Sequence, residues 1–175
     1  MSGGEGSKNS EVEWDNLTPD LLLNVFARLT LDEMMEGPLQ VCKPWIEAGK
    51  TTNVFDFGGC TVQIPAGGGE FDWDAMEDKM DKLLKAYVDR SHGGLKIIKT
   101  KLCTDASISY VAQKCPDLEV LWLTSCPCVT DASMTKIATG CTKLKELRIL
   151  SSFQITESAL KMVKDNCPNV EVTKK

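Results

Sequence analysis

The sequence predicts an α/β protein in which a small helical module precedes a run of short helix–strand repeats. Three observations predict it. First, laying the C-terminal half out at a period of 26 residues superimposes Cys115, Cys141 and Cys167. The same register superimposes Thr104, Thr130 and Thr156, then Asp105, Asp131 and Glu157, and then three apolar sets: Ile108, Met134, Leu160; Val111, Ile137, Val163; Leu118, Leu144, Val170. Second, within each unit the apolar spacing changes from helical (Ile108, Val111, Ala112, Cys115) to alternating (Leu118, Leu121, Leu123). Third, residues 14–49 carry a dense apolar helix pattern in a segment too short to bury it alone.

The elements follow in chain order. Residues 1–13 are rich in Gly, Ser and charge and predict a disordered N-terminus. In residues 14–49 a helix starts at Thr18-Pro19-Asp20, with a capping hydroxyl, a proline suited to the first turn and an acid suited to the helix dipole. Leu21, Leu22, Val25, Phe26 and Leu29 continue it, Gly37-Pro38 interrupts a second stretch, and Val41-Cys42-Lys43-Pro44-Trp45 ends the module on a large aromatic. Residues 50–73 are a connector with a short strand candidate over 54–57. Its Gly67-Gly68-Gly69 run is followed by Glu70, where a phosphate loop needs Lys and Ser or Thr. Residues 74–88 form a helix through Met76, Met80, Leu83, Leu84 and Tyr87, sealing the first repeat of a solenoid that spans 74–175.

A weak first unit follows, in which His92 takes the cysteine slot three residues before Leu95. Pro116 and Pro168 stop the helices ahead of the strands. At the C-terminus Thr173 and Lys175 fall in the slots of Leu121 and Leu123, and Lys164 replaces Ala112 and Ala138, which fits either a polar cap or a truncation. If Leu121 and Leu123 face inward, strand alternation turns Ile97, Lys99, Val120, Trp122, Glu146 and Arg148 onto the opposite, outward surface. An exposed Trp122 flanked by charges is a candidate hot spot for a target protein, the alternative being that it only covers neighbouring strand residues.

Composition narrows the function classes. The 175 residues are 42% hydrophobic and 26% charged, ordinary for a globular chain. Residues 1–94 hold 8 Lys/Arg against 17 Asp/Glu and residues 95–175 hold 12 against 8, so the halves differ in sign. An excess of four positive charges without a basic run argues against nucleic acid as a partner. No apolar run long enough for a membrane span and no apolar N-terminal stretch are present, so the expected location is cytoplasm and/or nucleus, with no membrane partner. Eight cysteines include no pair of zinc-knuckle pairs, and the repeat explains three of them as compact buried side chains, so no metal or cofactor is expected. His92, the single histidine, has no nucleophile and orienting acid to work with, so no enzyme is expected.

Two stretches resemble known families. Leu118-Glu119-Val120-Leu121-Trp122-Leu123, Val129-Thr130-Asp131-Ala132 and Ile137-Ala138-Thr139-Gly140-Cys141 resemble the cysteine-containing leucine-rich repeat, which implies a short right-handed, curved solenoid of helix–strand repeats with parallel strands on its concave face. The segment from Trp14 through Leu17, Pro19, Leu22, Val25, Phe26 and Leu29 to Val41, Cys42, Lys43 and Trp45 resembles an F-box. Their order resembles the plant F-box/leucine-rich-repeat proteins that partner the Skp adaptor. That resemblance implies a non-catalytic substrate receptor of an SCF-type cullin ubiquitin ligase. Leu17, Pro19, Leu21, Leu22, Val25, Phe26, Leu29, Val41, Cys42 and Trp45 would then form the adaptor-facing and core surface, the cullin and RING subunits would be reached through the adaptor, and the repeats would hold an unknown target. A freestanding repeat module with N-terminal capping helices, and a truncated F-box chain that competes for the adaptor, are the alternative readings.

Overall fold

The computed structural model describes residues 53–58 and 72–175, together with Thr18, Leu21, Asn24, Val25, Arg28, Leu29 and Glu33. Among the described residues, five strands form one parallel sheet in sequence order: β1 (Val54–Asp56), β2 (Ile97–Lys101), β3 (Val120–Thr124), β4 (Glu146–Leu150) and β5 (Glu171–Lys174). Four helices separate them: α1 (Trp73–Arg90), α2 (Asp105–Lys114), α3 (Asp131–Gly140) and α4 (Glu157–Asn166). The expected alternation of helix and strand is therefore present, and the last three helices start 26 residues apart. Val54–Asp56 lies inside the segment read as a connector, yet it pairs with β2 as the first strand of the sheet.

The core lies between sheet and helices. Leu95, Ile98, Ile108, Val111, Leu118, Leu121, Leu123, Met134, Ile137, Leu147 and Ile149 are fully buried, each contributing roughly 1.5–3 kcal/mol of transfer free energy. Phe55, Phe57 and Tyr87 seal its β1 end as an aromatic trio, with centroids 4.5–5.8 Å apart and Tyr87 edge-on to both phenyl rings. Burial of Tyr87 pushes its phenol up to about 12. Met76, Met80, Leu83 and Leu84 of α1 are packing residues, as their spacing predicts.

Each repeat helix starts at a threonine whose hydroxyl accepts from a first-turn amide: Ala106 for Thr104, Ala132 for Thr130, Ala159 for Thr156. The acid that follows does more than meet the helix dipole. The Asp81 carboxylate accepts the amide (3.0 Å) and hydroxyl of Thr104, Asp105 those of Thr130 (amide 2.9 Å), and Asp131 those of Thr156 (both 2.7 Å). Asp105 and Asp131 thus each stand in a first turn and clamp the next repeat, while Asp81 makes the same clamp from the middle of α1. The cysteines form a second ladder at the other helix end. Cys115, Cys141 and Cys167 cap α2, α3 and α4; the Cys141 thiol donates to the Cys115 carbonyl and the Cys167 thiol to the Cys141 carbonyl. Burial pushes the Cys115 thiol up to about 11 and the Cys141 thiol up to about 12, so these are packing groups at neutral pH.

Two expectations are corrected. His92 does not occupy the cysteine slot: Ser91 caps α1, and His92 is exposed in a left-handed turn (φ 50) with Gly93 (φ 78). The path from helix cap to strand leucine is one residue longer here than in the repeats that follow, and the left-handed pair absorbs the extra residue. At the other end, Val172 and Lys174 pair with Leu147 and Ile149, not Thr173 and Lys175. The reason is local. At the starts of β2, β3 and β4 two successive amides share one carbonyl: Lys96 and Ile97 on Asn53, Glu119 and Val120 on Lys96, Lys145 and Glu146 on Glu119. At β5 only Glu171 donates to Lys145, and the omitted bulge advances the strand by one residue. Val172 therefore packs against the core, and the Lys174 ammonium donates to the Ile155 carbonyl at 2.6 Å.

Candidate docking surfaces

The face of the sheet away from the helices carries two rows set by register. One runs Asp56, Lys99, Trp122, Arg148, Thr173; the other runs Val54, Ile97, Val120, Glu146, Glu171. All six residues read from strand alternation lie in these rows, and none is buried. Trp122 is not simply exposed. Lys99 Nζ stands 4.5 Å and Arg148 Cζ 4.3 Å from its ring centroid, so the half-buried indole is held between two cations.

The cations are themselves anchored. Lys99 pairs with Asp56 at 2.8 Å and the Arg148 guanidinium with Glu146, so local charge nearly cancels while the aromatic face stays clamped. The Trp122 Nε1 hydrogen is shut from solvent and has no acceptor among the described residues. A buried unmet donor costs roughly 1–3 kcal/mol. The pairing of aromatic and cations was beyond alternation alone, because it depends on which residues of neighbouring strands stand side by side.

Of the F-box positions, Leu21, Val25 and Leu29 are described. Leu21 and Val25 are helical; Leu21 is 52% exposed, Val25 is half-buried, and Leu29 packs against the repeat core. The Arg28 amide donates to the Val25 carbonyl at 3.0 Å as the helix tightens into a turn. The stripe thus presents an outward leucine at one end and an inward one at the other. Leu17, Pro19, Leu22, Phe26, Val41, Cys42 and Trp45 lie outside the described residues.

Among the described residues, no group of three or more His, Cys, Asp or Glu side chains converges as metal ligands would. The exposed Cys128 thiol is pushed up to about 11, chiefly by its hydrogen bond to Glu77, and is mostly protonated at neutral pH.

No protein-family model matches the chain. Known relatives do. F-box/LRR-repeat protein 19 of Arabidopsis thaliana is 40% identical over 136 residues, covering 73% of this chain and 44% of that protein. F-box protein SKIP1 of the same plant is 39% identical over 167 residues, covering 93% of this chain and 55% of its own length. F-box protein FBW2, also of that plant, is 30% identical over 112 residues, covering 62% and 32%. The chain spans about half the length of the first two relatives. With helix–strand repeats in the fold and these alignments over most of the sequence, the chain is a relative of the plant F-box/leucine-rich-repeat proteins.

Proposed function

We propose that the chain is a substrate-receptor subunit of an SCF-type cullin ubiquitin ligase, acting in the cytoplasm or nucleus. Its N-terminal module docks on a Skp-family adaptor, and the open face of its sheet holds a target. The observation that carries this reading is the similarity to F-box protein SKIP1 over 93% of the chain, which leaves too few residues uncovered to exclude 14–49. That relative's name abbreviates Skp1-interacting partner. The role is scaffolding: apolar side chains of the module leave water on the adaptor at about 25 cal/mol per Å², less the cost of association. The cullin and RING subunits then bring the conjugating enzyme to the captured target, and effective concentration supplies the acceleration. This chain contributes binding, and the bond-making groups belong to other subunits.

Leu21 supplies the test, because it is exposed and apolar on the predicted docking stripe. Leu21→Asp, and separately the pair Leu17→Ala with Pro19→Ala, should each weaken pull-down by a Skp-family adaptor about tenfold or more, the equivalent of burying one large apolar side chain. Unchanged capture by both variants would sink the adaptor reading. On the other surface, Trp122→Ala should keep adaptor binding but slow turnover of proteins recovered with the adaptor-bound chain. Cycloheximide-chase half-lives measure this, and identical half-lives for both forms would remove Trp122 from target recognition.

A further inference from the structure

We propose that Cys103 and Cys126 form an oxidative modification site, a thiol pair that peroxide closes into a disulfide joining the turn after β2 to the turn after β3. Their sulfurs lie 3.3 Å apart, both side chains are fully buried, and the thiols are free. The separation of the two turns suits a covalent bond. Cys103 and Cys126 sit at equivalent points just past two hydrogen-bonded parallel strands, and the Leu102 amide still donates to the Ser125 carbonyl at 3.3 Å one residue earlier. Neighbouring strands run about 4.8 Å apart, inside the Cα window of roughly 4.4–6.8 Å that disulfides require. The sulfurs then have about 1.2 Å to travel to a bond of about 2.05 Å.

The other repeat cysteines differ. The Cys141 and Cys167 thiols are spent on the carbonyls of the preceding cysteines, so neither faces another sulfur at this range. At the next turn the equivalent residue is Ser152, whose hydroxyl accepts the Cys126 amide at 3.0 Å, so the sulfur ladder stops at one pair. The Cys126 thiol also lies 3.4 Å from the Thr124 carbonyl as a donor, and in its contact with Cys103 either sulfur can donate. That bond holds the Cys126 thiol below its ordinary value, while burial pushes Cys103 well above its own.

Peroxide reaches the pair when the two turns open locally, and either sulfur can attack first. With Cys126 first, its sulfur attacks hydrogen peroxide: an S–O bond forms, the O–O bond breaks, and the departing hydroxide leaves as water with the thiol proton. Cys103 sulfur then attacks the Cys126 sulfenic acid: the S–S bond forms, the S–O bond breaks, and the hydroxyl leaves as water with the Cys103 proton. Two thiols and one peroxide give one disulfide and two waters. Closure fixes the rim of the open face beside Lys101 and Thr124, so oxidation stiffens the strands that carry Lys99 and Trp122.

The test uses the intact folded chain with Cys128→Ser, which removes the exposed thiol next to Cys126. After treatment with hydrogen peroxide and alkylation, unreduced digestion with trypsin and glutamyl endopeptidase separates residues 102–114 from 120–136. The expected product is these two peptides joined, two hydrogens lighter than their sum and parted by a reductant. The oxidised protein should also melt several degrees higher, and reductant should reverse that rise. Recovery of both peptides unjoined overturns the proposal, whether alkylated or oxidised to sulfinic acid. So does joining through Cys115, Cys141 or Cys167. The result does not depend on adaptor binding, and it requires no second cysteine variant to fold.

Discussion

Gly140→Ala should lower the melting temperature by roughly 4–8 °C, although glycine to alanine in a helix ordinarily adds about 1 kcal/mol of stability. Gly140 is the last residue of α3, and a Cβ there would lie 2.2 Å from the Ala112 carbonyl oxygen and 3.0 Å from its carbon. Both are backbone atoms of α2, so no side chain can swing aside; the two helices must separate. Overpacking of this kind costs typically 1–3 kcal/mol and sometimes more, which exceeds the gain in helix propensity. Gly58→Ala is the matched control, because its Cβ would meet Lys99 Cβ at an ordinary 3.5 Å. Thermal unfolding of the two variants decides: a rise for Gly140→Ala would mean that α2 and α3 do not approach so closely.

Asp105→Ala should destabilise the fold by about 2–3 kcal/mol, measured by urea unfolding at neutral pH. The substitution removes the acceptor for the Thr130 amide and hydroxyl, and with it the contact that ties the start of α3 to the start of α2. Charge-assisted hydrogen bonds contribute about 1.5–3 kcal/mol each, and partial solvent access brings the pair to or below the bottom of its combined range. Burial alone would push the Asp105 carboxyl up, but the donors of Ser133 and Thr130 outweigh it and hold the group below its ordinary value. A folded-state value below the unfolded one means this stabilisation is complete above the unfolded carboxylate pKa of about 3.9 and is lost as pH falls through the lowered value. The gap between wild type and Asp105→Ala should therefore shrink below about pH 4 and stay constant from pH 5 upward. Glu157→Ala is the control: this acid shares the register but has no following threonine to clamp among the described residues, so its loss should change stability by less than about 0.5 kcal/mol. Equal losses from both substitutions would place the effect in the helix dipole and not in the link between repeats.

The amino-acid sequence by itself determined the repeats. Thr104, Thr130 and Thr156 as caps, the helix stripes from Ile108 to Val163, the inward leucines and the outward set around Trp122 all follow from 3.6- and 2-residue periods and a 26-residue register, which each unit encodes locally. Leu21 and Leu29 could likewise be assigned to one stripe, but not to its outward and inward ends. Whatever depends on the distance between units was decided only by tertiary structure. The Asp–Thr clamps, the thiol–carbonyl ladder, the Cys103–Cys126 contact and the two cations on Trp122 each join residues 20 or more positions apart. Their existence depends on how closely one repeat stacks on the next. The displaced His92 and the one-residue advance of β5 have the same origin. A period counts residues, whereas a left-handed turn or a shared carbonyl changes how far the chain travels per residue.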